Sequence, residues 1–96
     1  MTKDHYLAKA EEFLDLEYRP SHDQELIIAS ATEFGSAWAF GFNTAAFLVE
    51  GDFLQSIVGV GPVVVPKDGS APYVAPSAHP AAYYLGQPLA PMESLL

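Results

Sequence analysis

The sequence predicts an α+β fold, in which an N-terminal helix packs on a small antiparallel sheet of about four strands. Hydrophobic residues recur at helical spacing near the start of the chain, and short apolar segments separated by turn residues follow. The links between those segments are short, which favours hairpins. The 96 residues are enough for one core. We expect residues 1–86 to form a single domain, followed by a short mobile, proline-containing tail at residues 87–96.

The first predicted element is a helix that ends near Glu17. Pro20 disfavours helical geometry at Arg19, so the helix is not expected to continue past that point. The apolar residues that recur at helical spacing are Tyr6, Leu7, Ala10, Phe13 and Leu14. We expect this apolar stripe to face the core.

Residues 25–31 and 37–42 are interpreted as two strands of a hairpin, with residues 32–36 at the turn. In the first strand, strict alternation places Leu26, Ile28 and Ser30 on one face and Ile27, Ala29 and Ala31 on the other. In the second strand, Trp38, Phe40 and Phe42 share a face. Packing in the core is the preferred interpretation of these aromatic residues, and the lining of a ligand or substrate pocket is the alternative.

The chain after Asn43 is interpreted as a loop with an exposed acidic corner at residues 50–52, after which the apolar residues Phe53, Leu54, Ile57 and Val58 return to the core. Residues 63–65 and 72–75 form a second predicted hairpin, whose last strand lies at an edge because prolines flank it. Residues 81–85 are a short helix that Gly86 and Pro88 terminate.

The composition leaves little room for catalysis. The chain has no cysteine, and its three histidines lie in separate segments without partners at metal-ligand spacing. Ser21, His22 and Asp23 match the letters of a hydrolase triad, but neighbouring side chains point apart instead of converging. Phosphate-binding and dinucleotide fingerprints are absent from the sequence. We therefore expect no enzymatic activity, no cofactor and no metal.

The net charge of −8 limits which classes of partner are expected. A negative surface repels nucleic acid and anionic membranes, so neither is an expected partner. The sequence lacks the roughly 20 apolar residues of a membrane span and the apolar core of a signal peptide, so the expected location is the cytoplasm. The charge serves solubility or the attraction of a basic partner.

Both faces of the first predicted hairpin carry apolar residues, whereas a sheet with one solvated face alternates. Either residues 47–57 fold over the second face or another molecule covers it. Exposed apolar surface of this kind favours a binding module, and a homodimer is one form of it.

Several motifs support a resemblance to a known family through their order and spacing. They are GSAWAFGFN at residues 35–43, FLVEGD at 47–52, GVGPVVV at 59–65, KDG at 67–69, and AHP at 78–80 followed by YYL at 83–85. In this pattern the chain resembles the YrhB-like, immunity protein 35 family. Two positions depart from it, because Val60 stands where the family usually has asparagine and Pro66 where it has an acidic residue.

The resemblance implies a small cytoplasmic bacterial protein that is encoded beside a polymorphic toxin. Such a protein binds the cognate toxin domain and occludes its active site, with no catalysis of its own. Members of the family are also described as chaperone-like, so a holdase or a homo-oligomeric binding module is the alternative function.

The candidate partner-binding residues are acidic groups at predicted turns, where binding residues concentrate, and one neighbouring aromatic anchor. These residues are Glu33, Glu50, Asp52, Phe53 and Asp68. Acidic groups would speed association with a toxin that has a basic surface. Phe53 has burial in the core as its alternative role.

Overall fold

The computed structural model describes residues 2–96. Its helices are α1 (Lys3–Glu17), α2 (Ala45–Glu50) and α3 (Ala81–Leu85), and its strands are β1 (Leu26–Glu33), β2 (Ala37–Thr44), β3 (Val60–Pro66), β4 (Tyr73–Pro76) and β5 (Met92–Ser94). Two 3-10 turns lie at Arg19–Ser21 and Phe53–Gln55. No helix within this described range has the length and apolar character needed to span a bilayer.

The strands form one antiparallel sheet in the order β4-β3-β2-β1-β5. This confirms the predicted α+β fold, with five strands where about four were expected. The additional strand is β5, which pairs with β1, and Leu95 N–H donates a 2.8 Å hydrogen bond to the Ala29 carbonyl. The three residues of β5 are exposed and show no hydrophobic alternation, so the sequence pattern does not reveal them. The domain limit at residue 86 and the mobility of residues 87–96 stay predictions.

One face of the sheet is covered by α1, as the apolar stripe predicts. Tyr6, Ala10 and Leu14 are buried against the central strands. The buried strand residues of this main core are Leu26, Ile28, Ala31, Phe40, Phe42, Val63 and Val65. The Trp38 ring stacks on Tyr6 and Phe40, with ring centroids 6.4 and 6.0 Å apart. The aromatic stripe of β2 therefore packs in the core and forms the centre of the sheet.

A β-bulge in β1 changes which residues face this core. The register shifts between Ile28, which pairs with Phe42, and Ser30, which pairs with Gly41. One extra residue in the strand reverses the side-chain alternation beyond it. Ala31 consequently joins Ile28 in the main core, and Ser30 faces the opposite side. The strict alternation expected for residues 26–31 is wrong at these two positions, because a bulge has no fixed sequence signal.

The second face of the sheet is covered in part by α3. Ala81 and Ala82 pack with Phe34 and Ala39, and Leu85 packs with a further small cluster on the same face. Residues 47–57 do not cover this face. Ile57 instead packs against the main core on the side of α1.

Arg19 fastens the end of α1 to the start of β1. Its guanidinium donates a 2.8 Å hydrogen bond to the Leu26 carbonyl and forms ion pairs with Glu11 at 2.7 Å and Asp15 at 2.8 Å. Partial burial opposes its positive charge, but the hydrogen bonds to both carboxylates outweigh this and raise the pKa of Arg19. The contact holds the chain before β1 at the same end of the sheet as α2.

Candidate functional site

The loop end of the molecule consists of the end of α1, the start of β1, α2 and residues 51–59. Its position follows from the register, because Leu26 at the start of β1 pairs with Thr44 at the end of β2. Ala45 N–H also donates a 2.8 Å hydrogen bond to the Glu25 carbonyl. Tyr18 packs on Phe42 with ring centroids 5.7 Å apart, which brings the end of α1 to the same place.

Two side chains at the end of β2 fix the backbone of this loop. The Asn43 amide oxygen accepts hydrogen bonds from the Thr44 and Ile57 N–H groups, each at 2.8 Å, and its nitrogen donates to the Ile57 carbonyl at 3.2 Å. The Thr44 hydroxyl donates to the Gln55 carbonyl at 2.8 Å and accepts from Phe47 N–H at 3.1 Å, which caps α2. Thr44 is buried, and its hydroxyl has both a donor and an acceptor contact. The loop is therefore held by polar contacts to its backbone.

Because the backbone is held in this way, the loop can leave apolar side chains in solvent. Phe53 is 79% exposed, Leu54 93% and Val58 84%. The expectation that these three residues return to the core is wrong, and only Ile57 of that set packs against it. The Phe53 ring rests on Phe47 with centroids 5.6 Å apart. The prediction of burial used hydrophobicity alone. It did not include the hydrogen bonds of Asn43 and Thr44, which hold the loop without burying these side chains.

Acidic residues lie at the same end of the molecule as these exposed apolar side chains. Glu50 ends α2, and Asp52 precedes the 3-10 turn, where its carboxylate accepts a 3.1 Å hydrogen bond from Leu54 N–H. Glu17 ends α1, and Asp23 and Glu25 precede β1, so these three residues lie at the loop end as well. Within residues 2–96, none of these five carboxylates forms an ion pair.

The remaining predicted site residues, Glu33 and Asp68, lie at the opposite end of the sheet. This turn end comprises the β1–β2 and β3–β4 connections, which are joined by a 2.9 Å hydrogen bond from Lys67 N–H to the Ser36 carbonyl. The Glu33 carboxylate is paired with the Lys67 ammonium at 2.8 Å. Asp68 accepts a 2.9 Å hydrogen bond from Ser70 N–H. The structure therefore brings together Glu50, Asp52 and Phe53 and separates the other two residues from them.

Hydrogen bonding perturbs the ionisation of one turn-end group. Contacts from the Ser70 side chain and then from the Ser70 backbone N–H hold the pKa of Asp68 below its ordinary value. This lower pKa is fully explained by a local turn contact and carries no sign of a reactive carboxylate.

The charges of the chain are distributed unevenly between the two ends. All three lysines lie toward the turn end: Lys9 and Lys67 border one shallow depression there, and Lys3 pairs with Glu93 of β5 at 2.7 Å. The hydrogen bond to Glu93 raises the pKa of Lys3. At the loop end, the positive charge of Arg19 is committed to Glu11 and Asp15. The loop end thus has excess negative charge.

The serine and histidine of the Ser21-His22-Asp23 segment, whose letters match a hydrolase triad, both contact one backbone carbonyl. The His22 ring contacts the Tyr18 carbonyl at 2.6 Å, and the Ser21 hydroxyl donates to that same carbonyl at 3.2 Å. His79 stacks on Tyr83 with centroids 4.1 Å apart. In the part of the chain that the structure describes, no three histidine or acidic residues are grouped closely enough to hold a metal ion.

Comparison with known proteins yields one informative match. Searches of curated proteins and of solved structures found no significant match. The sequence does match the family model described as Immunity protein 35, over residues 5–86. This range contains α1 from His5 onward, β1 to β4, α2 and α3, and it includes the whole loop end. The chain belongs to the immunity protein 35 family.

Proposed function

We propose that this protein neutralises a cognate bacterial toxin by binding the toxin domain through its loop end and occluding it, without catalysis of its own. The observation that carries the proposal is the combination of solvent-exposed Phe53 and Leu54 with the carboxylates of Glu50 and Asp52, which form no ion pair among residues 2–96. Membership of an immunity protein family supplies the class of partner. The proposal includes action in the cytoplasm of the bacterium that makes both proteins.

The apolar side chains would supply most of the affinity. Full burial of a large apolar side chain contributes about 1.5–3 kcal/mol, and Phe53 and Leu54 are almost entirely available for it. Aromatic residues in the desolvated centre of an interface often act as hot spots. The Phe53 ring packs against the Phe47 ring, and this contact restricts the positions that Phe53 adopts before a partner binds.

The acidic groups would act mainly on the rate and selectivity of association. Facing charges of opposite sign steer diffusional encounter and disfavour partners of the wrong sign. The concentration of lysines toward the turn end strengthens this preference, because those lysines offset carboxylates there and leave the loop end as the more attractive surface for a basic toxin. Association should therefore slow as salt concentration rises.

The anchoring by Asn43 and Thr44 would reduce the entropic cost of binding. A loop whose backbone is already held by hydrogen bonds from side chains loses little freedom when a partner covers it. Glu33 and Asp68 have no part in this surface, and a role for them in partner binding stays a prediction.

The first test of the function is co-expression with the product of the neighbouring toxin gene. Co-purification of the two proteins and restored growth of cells that make the toxin are the expected results. Failure of both would contradict the proposed function, whatever surface is involved.

The surface is tested with charge-removing variants that keep the local turn. Asp52→Asn retains an oxygen that can accept the hydrogen bond from Leu54 N–H. Asp68→Asn is the matched control, because Asp68 also accepts a hydrogen bond from the N–H group two residues later but lies at the turn end. Asp52→Asn together with Glu50→Gln should slow association and reduce its salt dependence, while Asp68→Asn should not. Phe53→Ala should raise the dissociation constant about 30-fold, corresponding to about 2 kcal/mol. Equal effects at both ends would refute the choice of surface.

A holdase-type chaperone is the second candidate, and the exposed apolar side chains of the loop end are the observation that favours it. Light scattering of a heated client protein separates the two functions. Suppression of aggregation at stoichiometric ratios, lost in Phe53→Ala and independent of any toxin, would favour the chaperone.

A further inference from the structure

The C-terminal segment covers part of one edge of the sheet. We call this the β1 edge, the side of β1 that faces away from β2. There β5 pairs with residues 30–32, and Leu95 N–H extends the pairing by a 2.8 Å hydrogen bond to the Ala29 carbonyl. Ala29 is the residue at the bulge and has no pairing partner on β2. The C-terminal segment therefore supplies a backbone contact that β2 does not.

Arg19 covers the other part of the same edge. The Glu25 carbonyl accepts a hydrogen bond from Ala45 N–H on the side of β2, so the next carbonyl of this antiparallel pair, that of Leu26, points away from β2. The Arg19 guanidinium donates to this outward carbonyl at 2.8 Å. Two distant parts of the chain thus cover one edge, at Leu26 and at residues 29–32.

The composition of β1 explains why its edge needs to be covered. Residues 26–32 read LIIASAT, a run without charge, proline or glycine. Open edge strands of this kind pair with strands of other molecules, and natural sheets prevent this with charges, with prolines or with a covering segment. At the opposite edge of the sheet, β4 is protected by Pro72 and Pro76. Residues 26–32 have no such protection of their own and depend on the segments that cover them.

The covering strand β5 is held more weakly than the other strands. None of residues 87–96 is buried, whereas β1 to β4 each contain at least one buried residue. The segment is held by the partial burial of Ala90 and Leu95 and by the ion pair between Lys3 and Glu93, whose side chains are partly exposed. Exposed ion pairs contribute little to stability, and segments with few buried apolar contacts open without unfolding of the whole domain.

We propose that residues 87–96 act as an edge cap, which opens independently of the domain and is held closed in part by the Lys3–Glu93 ion pair. When the edge cap is closed, β5 occupies the β1 edge. When it is open, residues 29–32 present unpaired backbone groups with which an extended strand of another molecule can pair. The open fraction of the edge cap therefore sets the rate of self-association. This proposal does not rest on the proposed function, because β5 and Lys3 lie outside the loop end.

Amide hydrogen exchange of the full-length chain measures the opening. Leu95 N–H and Phe34 N–H are matched probes, because each donates a 2.8 Å hydrogen bond that joins β1 to a neighbouring segment, to the Ala29 carbonyl and the Ala37 carbonyl respectively. The protection factor of Leu95 should be at least about 100-fold lower than that of Phe34. Equal protection factors would overturn the proposal, because β5 would then open only when the domain unfolds.

Charge reversal tests the contact that holds the edge cap closed. Glu93→Lys places two like charges together and should lower the protection factor of Leu95 about 10-fold without changing that of Phe34. The double variant Lys3→Glu, Glu93→Lys restores the ion pair at the original net charge and should restore the protection. A double variant that exchanges as fast as Glu93→Lys would overturn the role of the ion pair.

A reversible crosslink tests the consequence of opening. Because Leu95 and Ala29 form a hydrogen-bonded pair, Thr32 and Met92 form a non-hydrogen-bonded pair, whose close approach suits a disulfide. The chain has no cysteine, so Thr32→Cys with Met92→Cys introduces the one possible disulfide. Non-reducing electrophoresis verifies that the disulfide forms within one chain.

Light scattering just below Tm then compares the oxidised and reduced forms of this variant. The oxidised form should self-associate at least about 10-fold more slowly than the reduced form, whereas reductant should not affect the wild-type chain. Equal rates for the two forms would overturn the protective role of the edge cap. The oxidised variant should still rescue cells that make the toxin, so the edge cap and the neutralising function fail separately.

Discussion

Replacement of Asn43 by alanine would remove the side chain that joins the end of β2 to the returning loop. The Ile57 N–H and carbonyl groups would each lose their partner, and the Thr44 N–H would lose its acceptor. A typical neutral hydrogen bond contributes a net of about 1 kcal/mol, so loss of the two contacts with Ile57 should lower the free energy of unfolding by about 2 kcal/mol. For a domain of this size, that corresponds to a fall in Tm of roughly 10 °C.

Urea denaturation of Asn43→Ala can be followed by the fluorescence of Trp38. This is the one tryptophan of the chain, and it is stacked in the core between Tyr6 and Phe40. Hydrogen exchange of the Ile57 amide reports on the loop itself and should accelerate in the variant. Ser56→Ala is a suitable control in the same segment, because it loses one exposed hydrogen bond and should change the free energy of unfolding by less than about 0.5 kcal/mol.

An unchanged denaturation midpoint for Asn43→Ala, together with full protection of the Ile57 amide, would refute this reasoning. The loop would then be held by something other than the polar contacts of β2. The argument that a preformed loop end reduces the entropic cost of toxin binding would fail with it.

Three further changes test other parts of the molecule. Arg19→Met should lower the free energy of unfolding by about 2–3 kcal/mol, because it leaves the Leu26 carbonyl unpartnered and removes charge-assisted bonds. Urea denaturation measures this loss, and a loss of stability in Arg19→Met that is smaller than the loss in Arg19→Lys would contradict the reasoning. Gly61→Ala should cost about 1–3 kcal/mol by thermal denaturation, because the new methyl group would overlap the Ala75 carbonyl in β4, and an unchanged Tm would contradict it. The pKa of Asp68 is lowered in the folded state, so its ionised carboxylate stabilises the fold above the ordinary pKa of about 3.9, and this stabilisation is lost as pH falls through the folded-state pKa. Asp68→Asn should therefore make the free energy of unfolding fall less steeply at acidic pH. An unchanged acidic part of the stability–pH curve would contradict this.

The elements that sequence inspection located are those with a local physical cause. The spacing of Tyr6, Ala10 and Leu14 defined α1, and Pro20 limited its end. Gly86 adopts φ 63° where α3 stops, a geometry that glycine accepts at little cost. The prolines around β4 indicated an edge strand, and β4 is an edge strand. In each case the signal lies within a few residues of the feature.

The features that escaped prediction depend on contacts between distant segments. The pairing of β5 with β1 relies on backbone hydrogen bonds and on the Lys3–Glu93 ion pair, neither of which leaves an apolar pattern. The position of the loop that carries Leu54 depends on the side chains of Asn43 and Thr44, which bond to backbone groups 14 and 11 residues later in the chain. The separation of Glu33 from Asp52 was within reach of the sequence, because in two successive hairpins the first turn and the following loop lie at opposite ends of the sheet.

The bulge in β1 divides that strand into two stretches with opposite tolerance to substitution. Up to Ile28 the even-numbered positions point toward α1, and from Ala31 onward the odd-numbered ones do. In a saturation mutagenesis library, polar replacements should be rejected at Leu26, Ile28 and Ala31 and accepted at Ile27, Ser30 and Thr32. Alignments of relatives that treat the strand as uniform will pair residues that face α1 with residues of the opposite face unless a one-residue gap is permitted at Ala29.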